Sequence, residues 1–264
     1  METHSEPKSA EVLQSAADVP GPSKEKAPVI AIDGPAGTGK STLAPRLCEH
    51  FAWHYIDSGA MYRAVALYAR QRGISWTDEA ALVCLCNQLV FEFCIRGGRP
   101  VVRVNRRDVT PMIRTQTLGE GASRVGTLKG VREVLVRKQR ELGRLGGIVM
   151  DGRDIGTVVF PDADIKFFLD ATPEVRAQRR QLELQGRGEH VSLAAVTAEM
   201  RQRDHEDRTR EVSPLRVPEG AYCIDTTNLS IDEVFTLMVD KIKLFGVSSR
   251  MGNSQRRERC LKST

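Results

Sequence analysis

The residues best suited to chemistry lie between Gly34 and Ser41, in a run of the form Gly-x-x-x-x-Gly-Lys-Ser. An apolar, β-branched segment at 29–32 precedes this run, and residues 43–51 continue with helical spacing. Between a strand and a helix, glycines let successive backbone N–H groups converge on phosphate oxygens, and the helix N-terminus adds partial positive charge. We therefore predict a phosphate-binding loop, in which Lys40 bridges the β- and γ-phosphates of a nucleotide and the Ser41 hydroxyl ligates Mg²⁺. A glycine-rich turn that binds nothing is the alternative.

The loop is expected to contact the nucleotide through nine successive residues. These are Gly34, Pro35, Ala36, Gly37, Thr38, Gly39, Lys40, Ser41 and Thr42. One feature conflicts with the pattern, because Pro45 falls inside the following helix. Proline removes one backbone hydrogen bond and should kink the helix or cost up to about 3 kcal/mol. The loop precedes Pro45, so its geometry should survive.

Length and composition allow one large α/β domain or two small ones, since the chain has 264 residues and is 41% hydrophobic. No apolar run approaches the roughly 20 residues that span a bilayer, and no membrane association is expected. Acidic residues near the start argue against a transit peptide, so we expect a cytoplasmic protein. The six cysteines contain no Cys-x-x-Cys pair. We expect most of them to be buried small hydrophobic residues in a reducing cytosol, not metal ligands or disulfides.

Both ends of the chain differ in composition from the middle. Residues 1–27 are rich in Pro, Ser, Glu and Lys and are expected to be disordered. Residues 246–264 hold five cationic side chains against one acidic side chain, which accounts for most of the net charge of +5. We interpret this segment as a basic disordered tail, although a tail of this charge can also contact nucleic acid.

Between the tails, at 28–245, strand-like and helical segments alternate. Further strands are expected at about 53–56, 147–150, 164–169 and 221–224, and this alternation is typical of a parallel sheet with helices on both faces. Residues 89–110 differ, because two strand-like runs flank Arg96-Gly97-Gly98-Arg99 and predict a β-hairpin. We take the hairpin as part of an inserted subdomain at about 74–130. Residues 116–145 then return to helix.

Three runs outside the loop resemble one family. These are Asp57-Ser58-Gly59-Ala60-Met61-Tyr62-Arg63, Asp151-Gly152-Arg153-Asp154-Ile155-Gly156-Thr157-Val158-Val159-Phe160-Pro161, and the Arg-rich stretch 201–210. Together with the hairpin insert they resemble bacterial-type cytidylate kinases over about residues 28–245. The resemblance implies an α/β P-loop kinase with a five-stranded parallel sheet, a monophosphate-binding insert and a short Arg-rich lid at about 176–190. It also implies transfer of the ATP γ-phosphoryl group to CMP or dCMP with Mg²⁺, giving CDP or dCDP in pyrimidine metabolism.

The resemblance implies roles for particular residues. By position, Arg63, Arg153 and Arg210 would hold the CMP phosphate, Arg203 and Asp207 the sugar, and Ser58, Ser123, Arg132 and Asp154 the cytosine. Lys40, Arg153, Asp151 and Arg180 would be the catalytic residues, with Asp151 either orienting Mg²⁺ through water or only capping a turn. In the lid, Arg176, Arg179, Arg180 and Arg187 are candidates to stabilise charge on the transferring group. Arg201 and Arg208 are taken as solvated helix charges, and Asp33 can be structural.

Three other functions compete with this interpretation. The nearest is another monophosphate kinase, acting on UMP or a similar acceptor. A regulatory P-loop GTPase is disfavoured, because the sequence has no Asn-Lys-x-Asp base-reading motif. An RNA-binding role for the basic tail is disfavoured because aromatic residues form only 5% of the chain. We expect small-molecule substrates, ATP and CMP or dCMP, and a monomer.

Overall fold

The computed structural model describes residues 27–246 and 260–263. Its strands are β1 (Val29–Asp33), β2 (His54–Asp57), β3 (Phe91–Arg96), β4 (Arg99–Val104), β5 (Arg107–Asp108), β6 (Ile148–Gly152), β7 (Ile165–Asp170), β8 (Tyr222–Asp225) and β9 (Cys260–Lys262). Its helices are α1 (Lys40–Phe51), α2 (Ser58–Gln71), α3 (Glu79–Gln88), α4 (Gln116–Val125), α5 (Lys129–Gly143), α6 (Pro173–Gln185), α7 (Leu193–Thr209) and α8 (Ile231–Leu244). In this part of the chain, none of the helices is both long enough and apolar enough to cross a membrane.

The central sheet has five parallel strands in the order β2-β6-β1-β7-β8. Alternation along β1 explains how both of its faces are covered. Val29 and Ala31 belong to one hydrophobic cluster, together with side chains of α2, α3 and α5. Ile30 and Ile32 point the other way, into a cluster with α1 and α8. The predicted five-stranded parallel sheet with helices on both faces is therefore confirmed.

Carboxylates lie at or next to the carboxyl ends of three neighbouring strands of this sheet. Asp33 ends β1, Asp57 ends β2, and Asp151 lies in β6 beside Asp57. The Asp33 carboxylate accepts hydrogen bonds from the backbone N–H groups of Ile155 (2.8 Å) and Gly156 (2.7 Å). Burial raises the pKa of Asp33 to about 6, with these two bonds opposing the shift. Asp33 therefore has a structural role, joining β1 to the π-helical turn Ile155–Val159, which follows β6.

The inserted region contains the predicted hairpin, with Arg96 paired to Arg99 across the turn. Strands β5, β4, β3 and β9 form a second sheet in that order. The helical region expected at 116–145 is two helices, because α4 ends at Val125, with Gly126 as its C-cap, and α5 begins at Lys129. Helix α1 runs without interruption through Pro45. The domain limits, the insert at 74–130 and the lid at 176–190 stay predictions.

The end of the chain corrects two expectations. Residues 260–262, expected to be disordered, form β9 and pair antiparallel with β3. Cys94 and Cys260 form a disulfide, so the expectation of no disulfides is wrong for this pair. Polar composition concealed the strand, since pairing with an existing edge needs few apolar residues. Cys48, Cys86 and Cys94 are buried, whereas Cys84, Cys223 and Cys260 are exposed, so the expectation that most cysteines are buried is not met. The disorder expected for 1–26, 247–259 and 264 lies outside the described residues.

Gly34 provides a test of this packing. Its φ is +141°, and a Cβ placed there would lie 2.0 Å from the Leu169 carbonyl oxygen. Gly34→Ala should therefore lower the free energy of unfolding by more than the roughly 1–3 kcal/mol of backbone strain alone. Gly73→Ala is the matched control, since Gly73 has a φ of +68° but no atom within 4 Å of the added Cβ. Chemical denaturation of both variants measures the difference, and equal losses would contradict the packing at Gly34.

Candidate functional site

A cleft of about 820 Å³ opens at the carboxyl edge of the central sheet, the size of a small-molecule site. Ten cationic side chains line it: Lys40, Arg63, Arg114, Arg132, Arg153, Arg179, Arg180, Arg187, Arg203 and Arg210. Five acidic side chains oppose them: Asp57, Asp151, Asp154, Glu183 and Asp207. This excess of positive charge suits ligands that carry several phosphates.

The phosphate-binding loop forms one end of the cleft. Gly39 precedes α1, and no side chain caps this helix. Its N-terminal N–H groups and partial positive charge therefore face the cleft, as an anion site requires. The Lys40 ammonium donates to the Pro35 carbonyl (2.6 Å) and to the Thr38 hydroxyl (3.3 Å). Burial and the nearby Arg153 charge lower the pKa of Lys40, and a nearby anion would oppose this shift.

Asp151 lies on the floor of the cleft. Its carboxylate accepts a hydrogen bond from the Tyr55 hydroxyl at 2.9 Å. Burial, then the Asp57 charge, raise the pKa of Asp151 to about 7, and Lys40 opposes the shift. The backbone carbonyl of Asp151 accepts from the Ser58 hydroxyl at 2.7 Å, which fixes that side chain while leaving its oxygen able to accept. Asp151, next to the end of β6, thus makes a side-chain contact of its own.

Asp207 organises two arginines on the opposite wall. Its carboxylate lies 2.7 Å from the Arg153 Nε and 3.7 Å from an Arg210 Nη1. Burial alone would raise the pKa of Asp207, but the guanidinium groups of Arg153 and Arg203 hold it below its usual value. Arg153 does not pair with its neighbour Asp154, because Asp207 takes that position. One carboxylate therefore holds two cations at the same end of the cleft.

Asp154 accepts a charge-assisted hydrogen bond from Arg132, and both side chains are nearly inaccessible to solvent. Arg210 approaches the other Asp154 oxygen, at 4.0 Å. Arg132 also donates to the Gly126 carbonyl at 3.1 Å. Its guanidinium lies over the Tyr62 ring, 5.4 Å from the centroid. Both carboxylate oxygens of Asp154 therefore face arginines, at a position that is largely buried.

Several buried polar atoms at this end have no hydrogen-bond partner. They are Arg132 Nε, Arg203 Nε, Arg210 Nη2 and the Tyr62 hydroxyl. Leaving a buried donor unpaired costs roughly 1–3 kcal/mol. Burial, then the Arg153 charge, lower the pKa of Arg203 to about 10. An anionic, hydrogen-bonding ligand would relieve both costs, so these atoms mark the part of the cleft built for one.

The segment after the hairpin supports Arg63, whose guanidinium donates to the Ile113 and Thr115 carbonyls at 3.3 Å each. On the facing wall, Glu183 of α6 pairs with Arg180 at 2.8 Å and also with Arg187. Arg187 also donates to the Arg114 carbonyl at 3.0 Å. This bond connects the expected lid to the insert across the cleft.

Arg176 does not line the cleft, unlike the other three lid candidates. Its side chain is buried, pairs with Asp204 at 2.6 Å and donates to the Ala36 carbonyl at 3.3 Å. It therefore ties α6 to α7 and to the phosphate-binding loop, and its expected contact with the transferring group is not supported. Arg179 lines the cleft but is held by the Thr226 hydroxyl (2.9 Å) and carbonyl (2.6 Å). Arg201 and Arg208 are exposed, as expected.

Apart from Arg176, and from Gly34 and Pro35, which lie buried at the base of the loop, every predicted site residue lines this one cleft. Residues from Ala36 to Arg210 are thus brought together. Sequence reasoning missed Tyr62, Arg114 and Glu183. Tyr62 sits beside Arg63 in a run already singled out, so its position was a usable signal. Nothing in the local pattern marks Glu183, whose importance comes from the arginines around it.

The structural assignment of Arg176 can be tested by stability. Arg176→Met should lower the free energy of unfolding by about 3 kcal/mol or more, because it leaves Asp204 as a buried unpaired charge. Arg208→Met is the control, since Arg208 is exposed on the same helix as Asp204 and lies 4.0 Å from Asp170. That change should alter the free energy of unfolding by no more than about 0.5 kcal/mol. Urea denaturation compares the two, and a neutral Arg176→Met would show that the pair does not support the fold.

Comparisons with known proteins complete the description. Shikimate kinase from Acinetobacter baumannii aligns with 85% of this chain and 97% of its own, at 16% identity and a TM-score of 0.43. Cytidylate kinase from Aeromonas salmonicida is 44% identical over 215 residues, covering 81% of this chain and 94% of the relative. That of Geobacter sulfurreducens is 47% identical over 210 residues, covering 80% and 90%. The family model described as cytidylate kinase matches residues 30–244, and the chain therefore belongs to the cytidylate kinase family.

Proposed function

We propose that this protein transfers the γ-phosphoryl group of ATP to CMP or dCMP, forming ADP and CDP or dCDP, in pyrimidine metabolism. The observation that carries the proposal is the continuity of one cleft. It joins the phosphate-binding loop at Lys40 to the arginine–aspartate cluster around Asp207. Two anionic nucleotides can therefore meet end to end, as a direct transfer requires. Another monophosphate kinase, acting on UMP, is the nearest alternative.

In the proposed step, an oxygen of the acceptor phosphate attacks the γ-phosphorus. The bond from that phosphorus to the bridging oxygen of ADP breaks, and ADP leaves with the electron pair. Lys40 and the loop hold the donor phosphates, while Arg63, Arg153 and Arg210 hold the acceptor phosphate. Arg180, from the facing wall, stabilises charge on the transferring group. No covalent enzyme intermediate is needed, since positioning and fixed positive charge supply the catalysis.

The residues at the loop suit Mg²⁺ bound together with ATP. Mg²⁺ keeps several waters and takes one or two protein oxygens in addition to phosphates, so a cage of acidic side chains is not required. Ser41 is exposed at the first turn of α1, and the buried Asp151 lines the same cleft, with a pKa raised by burial that a nearby cation would lower. We propose that Ser41 ligates the ion and that Asp151 orients it through water. When bound, Mg²⁺ neutralises charge on the β- and γ-phosphates.

Cytosine is assigned to the pocket around Asp154, Arg132, Ser58 and Ser123. Asp154 can accept from the cytosine amine, while Arg132 can donate to the ring N3 and O2 acceptors. Uracil presents a carbonyl oxygen instead of the amine and an N–H at N3, so it would deprive Asp154 of its donor and Arg132 of the N3 acceptor. Sites that depend on such pairing can discriminate on the order of 10⁴-fold. We assign the sugar to Arg203, whose Nε lacks a partner, and to Asp207.

Two further properties belong to the same proposal. The donor is ATP, and we propose that the protein acts in the cytoplasm, where such nucleotides are exchanged. We also propose that the protein acts as a monomer. Contact between the basic C-terminal segment and nucleic acid is not part of the proposed activity.

The first functional test replaces Lys40. Lys40→Ala should reduce kcat for CMP phosphorylation by at least about 10²-fold, because it removes a positive charge from the donor phosphates in a site sheltered from water. Lys129→Ala is the matched control, since Lys129 is exposed at the start of α5. A coupled assay of ADP release measures both variants. Near-normal turnover by a folded Lys40→Ala protein would rule out the assigned role.

The second functional test addresses base choice. Asp154→Ala should reduce kcat/KM for CMP by the factor that corresponds to roughly 2–3 kcal/mol of lost charge-assisted hydrogen bonding. The value of kcat/KM for UMP should fall less or rise. Because this change also removes the carboxylate that pairs with Arg132, Asp154→Asn is made alongside it to keep an acceptor for that arginine. Thermal unfolding checks that both variants are folded. An equal loss for CMP and UMP in both variants would mean that Asp154 only positions Arg132.

A further inference from the structure

The C-terminal strand is attached to the insert by both hydrogen bonds and a covalent bond. Cys260 stands directly opposite Cys94, with the two Cα atoms 4.4 Å apart, and their sulfur atoms are bonded. Ser263 is fully buried; its N–H donates to the Phe91 carbonyl at 2.8 Å, and its hydroxyl accepts from the Phe91 N–H at 3.0 Å. Leu261 packs against the larger hydrophobic cluster. We call residues 260–263 the strap.

The strap is an addition to the part of the chain that carries the family likeness. The family model ends at residue 244, and the strap lies beyond it. It covers the edge of β3, a strand whose backbone groups would otherwise be open to pairing on that side. On the outer face, Lys262 lies 3.9 Å from Glu92, a contact that salt would screen. The disulfide is therefore the strongest single attachment of this short strand.

A dithiol reductant can break the disulfide that attaches the strap. Cys260 is exposed whereas Cys94 is nearly buried, so an incoming thiolate can reach the Cys260 sulfur first. A dithiol reductant attacks that sulfur and the Cys94 thiolate leaves; the second thiol of the reductant then displaces Cys260. The protein gains two electrons and two protons as two thiols, and the dithiol becomes a disulfide. A pair that is separated by 166 residues also constrains a long stretch of unfolded chain.

A continuous set of contacts leads from the strap to the acceptor end of the cleft. Strand β3 pairs with β4, in which Val102 donates to the Thr110 hydroxyl at 2.9 Å and accepts from the Val109 N–H at 3.0 Å. The turn after Val109 presents the Ile113 and Thr115 carbonyls that hold Arg63 at 3.3 Å. Loosening the β3 edge would therefore reach the arginine assigned to the CMP phosphate without touching the phosphate-binding loop.

We propose that Cys94 and Cys260 form a reversible thiol–disulfide site, opened by a dithiol reductant, which fastens the strap to the insert and thereby tightens binding of the monophosphate acceptor. The binding effect rests on the proposed function, whereas the disulfide itself does not. In the oxidised protein, the disulfide holds β3 in place, and with it the segment that supports Arg63. In the reduced protein, the three residues of β9 must pair with β3 without a covalent bond. The acceptor end of the cleft therefore loses order, while the donor end keeps it.

The first measurement needs no turnover. The full-length protein is equilibrated with oxidised or reduced dithiothreitol, denatured in the presence of an alkylating agent, and analysed for alkylated cysteines and for linked peptides. The oxidised form should show four titratable thiols out of six cysteines, and a linked peptide that joins Cys94 to Cys260. The reduced form should show six. Six thiols under both conditions, or a linked pair other than Cys94 and Cys260, would overturn the proposal.

The second measurement compares kinetics in the two states. Reduction should raise KM for CMP by about fivefold, near the lower end of typical coupling between sites, and leave KM for ATP unchanged. Cys260→Ser should behave as the reduced protein does and no longer respond to the reductant. Cys84→Ser is the matched control, because Cys84 is an exposed free cysteine in the same insert, and it should respond like the wild type.

Two outcomes would contradict the coupling. An unchanged KM for CMP on reduction, with the linked peptide lost, would show that the strap does not affect the acceptor end. Equal responses of wild type and Cys260→Ser would place the effect of the reductant elsewhere. Absence of CMP turnover in both states would instead refute the proposed function, and the thiol and peptide results would still decide whether the site exists.

Discussion

Repulsion among the arginines that line one cleft is the constraint on which the rest of the structure depends. Ten cationic side chains line a single cleft, and most of them would repel each other if they were held there alone. Asp207 offsets part of this repulsion by holding Arg153 at 2.7 Å and lying 3.7 Å from Arg210, while Asp154 pairs with Arg132. The compensation is incomplete, as the lowered pKa of Arg203 and the unpaired guanidinium nitrogens indicate. The remaining positive charge is what an anionic ligand can neutralise.

The carboxyl ends of the parallel strands determine where these charges lie. Strands β1, β2 and β6 deliver the phosphate-binding loop, the start of α2 and the Asp151–Asp154 region to the same edge. Asp33 then holds the turn after β6 against β1 by two backbone hydrogen bonds, which fixes where Asp154 stands. Arg176 ties the opposite wall to the loop through the Ala36 carbonyl. Contacts outside the cleft therefore determine its geometry.

Much of this arrangement could be predicted from sequence, because its signals are local. The phosphate-binding loop follows from glycine spacing between an apolar strand and a helix, and the hairpin from two strand-like runs around Gly97-Gly98. The partners of the arginines were not predictable in this way. Arg176 and Arg180 lie four residues apart on one helix, yet one is buried against Asp204 and the other faces the cleft. The Cys94–Cys260 pair joins residues 166 positions apart, and the polar sequence around Cys260 gives no sign of a strand.

The central claim is that one cleft takes both nucleotides at once, sharing its arginines between them. Calorimetric titration with a bisubstrate analogue, in which adenosine and cytidine are joined through their 5′ oxygens by a chain of phosphates, tests this most directly. The account predicts one analogue bound per chain, with affinity that falls steeply with salt, and displacement by ATP and by CMP separately. Two analogues bound per chain, or displacement by only one of the two nucleotides, would contradict it.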